Sequence, residues 1–69
     1  MRIKYFEDTD TTLVELSSNP PVETRELSEN IYLDLDKDGN VVSITIEHAS
    51  AASDMREFLY QRIPGAISP

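Results

Sequence analysis

The chain has no cysteine and no tryptophan, one histidine and only two glycines among its 69 residues. Each scarcity excludes a class of chemistry. Without cysteine there is no disulfide staple, no thiolate nucleophile and no sulfur ligand for a metal. A lone His48 finds no second histidine with which to build a metal centre. Gly39 and Gly65 stand too far apart in sequence to frame a phosphate-cradling loop. No apolar run approaches the ~18 residues of a membrane-crossing helix. The start, Met1-Arg2-Ile3-Lys4, leads straight into an alternating strand, so no secretory leader is expected. The expectation is a cytoplasmic protein with no membrane contact and no cofactor.

Basic side chains are also scarce, 6 against 13 acidic ones, for a net charge of −7. The excess lies wholly within residues 1–49. Such a surface repels phosphate backbones and argues against nucleic-acid binding. It suits a basic protein partner through complementary potential, although solubility alone also accounts for it. A chain this short makes one domain, residues 1–69, and buries only about 60% of its unfolded surface. A small core and open sheet edges together predict a homodimer.

What is present is organised around Ile31–Ile46. Ile31, Leu33 and Leu35 recur at every second position, as do Val42, Ile44 and Ile46. Alternation of this kind places each trio on one face of a strand. Asp36-Lys37-Asp38-Gly39-Asn40 links the two runs, and Gly39 supplies the positive φ of a hairpin turn. The same turn places Asp34, Asp36, Asp38 and Gly39 at positions one, three, five and six of an EF-hand calcium loop. Thr45 then occupies the place of the bidentate glutamate, and the flanks are strands where that loop requires helices. A charged, soluble turn is the better reading, and calcium or small-ligand binding by Asp34, Asp36 and Asp38 is the alternative. No metal ligand is assigned.

Earlier in the chain, residues 2–6 and 11–16 read as two strands joined by the Glu7-Asp8-Thr9-Asp10 turn. Pro20 and Pro21 break the pattern, and residues 22–27 form a third, charged edge strand. After Glu47 the period changes. Ala51, Ala52, Met55, Phe58, Leu59 and Ile63 fall at helical spacings. Ser50 is a candidate N-cap, and Asp54 with Glu57 offers a second start. Pro64 and Gly65 end the helix. The expectation is therefore a sheet over residues 1–48, a helix over 50–63 packed on the sheet of the same or a second subunit, and a tail over 64–69.

Catalytic constellations are missing. His48 lacks a nucleophile elbow around any serine, and the acidic residues have little chain from which to build a cleft. No catalytic residue is assigned, and a non-enzymatic protein is expected. The aromatic residues are not set among basic ones, as stacking on RNA requires.

Several segments resemble a family of small bacterial proteins, domain of unknown function 2283. They are Ile3–Thr11, Val22–Leu27, Leu33–Val42 and Ile44–Ser50, so the resemblance covers about residues 1–50. Ser43 stands where that family often has glycine, and Thr12 where it often has an apolar residue. The resemblance carries no catalytic residue. It implies an antitoxin-like role, since some members look like partners of small toxin-like proteins. The fold expected from all of this is α+β, an antiparallel sheet of four to five strands followed by one C-terminal helix.

Overall fold

A computed structural model of the chain describes residues 1–65. Five strands form one antiparallel sheet: β1 (Arg2–Phe6), β2 (Thr11–Glu15), β3 (Glu23–Ser28), β4 (Ile31–Leu35) and β5 (Val41–Glu47). A single helical turn, α1 (Ala49–Ala52), follows. The α+β class and the central hairpin are as the sequence predicts.

The strand order is β1-β2-β5-β4-β3. β3, β4 and β5 form a meander, and β2 lies against the far side of β5, which is Greek-key connectivity. The segment from Leu16 to Val22 makes the long crossing between β2 and β3. Its proline pair suits it to this route, because proline offers no amide to a ladder. The crossing is tied at both ends, by Leu16 N–H and Ser17 N–H donating to the Val42 carbonyl and Val22 N–H to the Leu35 carbonyl.

The β4–β5 turn is closed by its own first residue. Asp36 N–H donates to the Asn40 carbonyl at 2.9 Å, and Gly39 N–H to the Asp36 carbonyl at 3.0 Å. Gly39 sits at φ +82°, where a side chain would be strained. A register shift between Asp34 and Leu35 places one extra residue in β5, and a second shift lies between Glu26 and Ser28 of the edge strand β3. Irregularities of this kind bend a strand and make it a poorer template for foreign pairing.

The helix departs from expectation. It spans Ala49–Ala52 and not 50–63. Its N-cap is His48, in the left-handed region at φ 52°, and Ser50 lies inside the turn. At Ser53 the chain becomes extended, with φ −154° and ψ 166°. The Asp54 carboxylate then accepts from the Arg56 amide at 3.0 Å, a local turn that competes with helix. The capping-box start therefore does not form. Residues 53–65 contain no helix or strand. Periodicity locates an apolar stripe, but a stripe of this length becomes helix only when it has a surface to pack against. Of the predicted tail, residues 66–69 lie outside the described residues.

Candidate interaction surface

The register places the side chains in rows. Ile3, Val14, Ile44, Leu33 and Arg25 stand side by side across all five strands. Tyr5, Thr12, Ile46 and Ile31 form the next row on the same face. This face is apolar, apart from its rim at β3. The opposite face carries Arg2, Glu15, Ser43, Asp34 and Thr24 in one row, and Lys4, Leu13, Thr45, Tyr32 and Glu26 in the next.

A sheet with one apolar face requires a second layer. Here that layer is almost missing. Among the described residues, the buried hydrophobic ones are Leu35, Val42 and Ala49, and no large side chain is fully buried. Val14, Ile31, Leu33, Ile44 and Ile46 are only half-buried, although all five lie on or beside the central strand β5. The chain after α1 covers the β1–β2 side. Met55 Sδ lies 3.7 Å from Thr12 Oγ1, and Phe58 and Tyr60 share a shallow hollow of about 520 Å³ with Met1 and Ile3.

The overall dimensions show the same deficit. The Cα radius of gyration is 14.6 Å, where a compact chain of this length has about 11 Å. The accessible surface is 5757 Å² at 7.8 kDa, against about 4,400 Å² for a compact monomer of that mass. Part of the excess belongs to the irregular segment 53–65, and part to the partly covered sheet.

The polar face carries side-chain hydrogen bonds and an ion pair of its own. Asp34 accepts from Thr24 Oγ1 at 2.6 Å and from Ser43 Oγ at 2.8 Å. Lys4 Nζ lies 2.9 Å from Glu15 Oε1. That oxygen is sealed from water and its contact with the ammonium is an ion pair without hydrogen-bond geometry. The Lys4 charge holds the Glu15 carboxyl below its ordinary range.

The three turn aspartates do not converge. Asp34 points into the polar face. Asp36 is buried and turns back on its own loop, where Oδ1 accepts the Asp38 and Asn40 amides at 2.9 Å each and Oδ2 accepts Asn19 Nδ2 at 3.1 Å. These donors, the Asn40 amide foremost, lower its pKa against the opposing cost of burial. Asp38 is exposed at the tip. Among the described residues no three histidine, aspartate or glutamate side chains are grouped to hold a metal ion.

His48 is exposed at the corner after β5. Beside it lies a junction that the sequence did not signal. Asp10, at φ 54°, accepts Tyr5 Oη at 2.5 Å and the Ser50 amide at 3.0 Å on Oδ1, and Ser50 Oγ at 2.7 Å on Oδ2. Its carbonyl accepts the Ala49 amide at 2.9 Å. One residue of the β1–β2 turn thus anchors the entire start of α1. The Tyr5 and Ser50 bonds depress the Asp10 pKa, and the same carboxylate raises that of Tyr5. Here Ser50 is held by a carboxylate as a structural donor, whereas triad chemistry requires a serine held by a histidine. The available hint was Asp10 itself, an aspartate next to a strand, a type that tolerates the left-handed region.

Two layers of evidence, the antiparallel sheet with its acidic Asp-Gly turn and the corner after β5, define a small α+β domain with a strand body ending near residue 50. The chain belongs to the family described as protein of unknown function (DUF2283), whose model matches residues 2–50. The match stops where the sheet and its corner stop, so residues 51–65 lie beyond it. No curated protein and no solved structure matches the chain. Among the described residues, no helix is long and apolar enough to cross a membrane.

Proposed function

We propose that the protein is a non-enzymatic interaction module of the cytoplasm that works as a pair of chains. The apolar faces of the two sheets are buried inside the pair, and the polar faces turn outward. The observation that carries this reading is the apolar row through Ile44, which is covered at its β1 end and leaves Val14, Ile44 and Leu33 only half-buried. The surface in excess of a compact monomer, about 1,400 Å² shared between the sheet and segment 53–65, is of the order of the roughly 800 Å² per partner of a standard interface. The residual negative charge on the outer faces would attract a basic protein, in keeping with an antitoxin-like role.

Sedimentation over a concentration series tests the pairing. The wild-type chain is expected to sediment as a dimer at micromolar concentration. Ile44→Asp, at the centre of the apolar face, weakens pairing by about 100-fold or more. Thr45→Asp, next in sequence on the opposite face, leaves it nearly unchanged. A folded monomer at 100-fold higher concentration refutes the reading. For the heterologous partner, the informative assay is copurification with the product of the neighbouring gene. Recovery of this chain alone counts against that half.

A further inference from the structure

The segment after α1 combines two features that do not fit a finished monomer. Met55, Phe58, Leu59 and Ile63 keep the spacing of one helix face, between a start signal at Asp54 and a stop at Pro64-Gly65. Yet no helix forms there, and Phe58, Leu59, Tyr60 and Ile63 are 65%, 70%, 62% and 80% exposed. A water-exposed segment gains nothing from such spacing. It gains when a facing apolar surface stabilises the helix, because a helix this short is marginal on its own.

We propose that residues 54–63 fold into an amphipathic helix when two chains pair, and that this helix packs on the apolar sheet face of the second copy. The inference rests on the pairing proposed above and adds its mode. The chain's own sheet is already within reach, yet in the single chain the segment forms no helix and Phe58, Leu59, Tyr60 and Ile63 stay exposed. A second copy is what would add apolar surface. Ten helical residues extend about 15 Å, close to the roughly 17 Å of a five-residue strand. Charge permits the approach: Asp54 and Glu57 are balanced by Arg56 and Arg62, so the segment is neutral beside a strongly acidic body. The turn that holds Asp54 to Arg56 is exposed and is easily exchanged for helix.

The test uses the full chain and exploits neighbours. In the non-helical segment Leu59 and Tyr60 are both exposed, but in the helix Leu59 faces inward with Met55 and Ile63 while Tyr60 faces water. Leu59→Asp is expected to raise the dimer dissociation constant by about 100-fold, and Tyr60→Asp by less than about threefold. Backbone carbon chemical shifts for residues 54–63 are expected to become helical over the same concentration range in which the dimer forms. Intermolecular nuclear Overhauser contacts are expected from Leu59 to Ile44 or Leu33. A dimer that forms with the segment still non-helical, or with Leu59→Asp and Tyr60→Asp behaving alike, overturns this inference and leaves the pairing of chains standing. A helix that forms at dilution in the monomer overturns it in favour of packing on the chain's own sheet. Absence of pairing at any concentration overturns both proposals.

Discussion

The strand body and the segment after α1 carry the same kind of information, an apolar stripe at a regular period, yet only the body realises it. In the body the period is two, and the partners that strands need lie within the chain. Each of β2, β4 and β5 is hydrogen-bonded on both sides, so the ladder forms even though its apolar face is half-covered. In residues 53–65 the period is that of a helix. A helix satisfies its backbone alone but needs a surface for its stripe, and the nearest apolar surface holds only Met55 firmly. Backbone pairing thus decides which pattern folds in a single chain, and burial decides which pattern remains to be used.

The largest expected contrast comes from removing one apolar side chain from each region. Leu35 is among the few buried residues, at 6% exposure. Leu35→Ala should cost about 3 kcal/mol in denaturant unfolding, a large share of what a domain of this size possesses. Next comes the body's polar anchor. Asp36→Ala strips the acceptor from two amides in a closed turn, and a fall of about 10 °C in melting temperature is expected. If Asp36→Ala melts like the wild type, water has replaced the carboxylate and the turn is not what fixes the hairpin.

Much of this contrast is legible in the sequence. The hairpin at Ile31–Ile46 follows from two alternating trios and an Asp-Gly turn. The β1–β2 hairpin follows in the same way from residues 2–6 and 11–16. The pairing of β2 with β5 does not, because residues 11–15 and 43–47 share no local signal, only compatible faces. The Asp10 junction was also hidden: it joins Tyr5, Asp10 and Ser50, and the last of these is 40 positions away from Asp10. The helix over 50–63 was read from a real stripe, and its absence shows that spacing reports what a segment can bury, not what it has buried.

Protonation acts on the strand body more gently. Asp10 and Asp36 have depressed pKa values in the folded chain, from the Tyr5 and Asn40 bonds respectively. Depressed folded values mean that their stabilisation is fully present above the unfolded carboxylate pKa of about 3.9 and is lost as pH falls through the folded values. Tyr5 works in the opposite sense. Its pKa is raised, so its share is present below about 10 and disappears as pH climbs past the folded value. Melting followed from pH 7 to pH 2 should therefore decline below about pH 4. The decline should be shallower in Asp10→Asn, which retains a left-handed-tolerant residue but no titratable group. An equal decline in both proteins means that the junction contributes nothing to acid sensitivity.

The smallest effect belongs to the segment after α1, and its smallness is informative. Phe58 is 65% exposed and meets Met1, Ile3 and Tyr60 only across an open hollow. In dilute solution Phe58→Ala should change unfolding stability by no more than about 0.5 kcal/mol, the range of an ordinary surface substitution. Elsewhere, truncating a phenylalanine in a packed core costs about 3–5 kcal/mol. The gap between those two figures measures how far the segment stands from its buried state. Repeating the measurement at concentrations where chains pair should widen the difference between variant and wild type. A substitution that is neutral at dilution and costly in the pair assigns the side chain to the partner's surface, whereas one that is costly throughout assigns it to its own sheet.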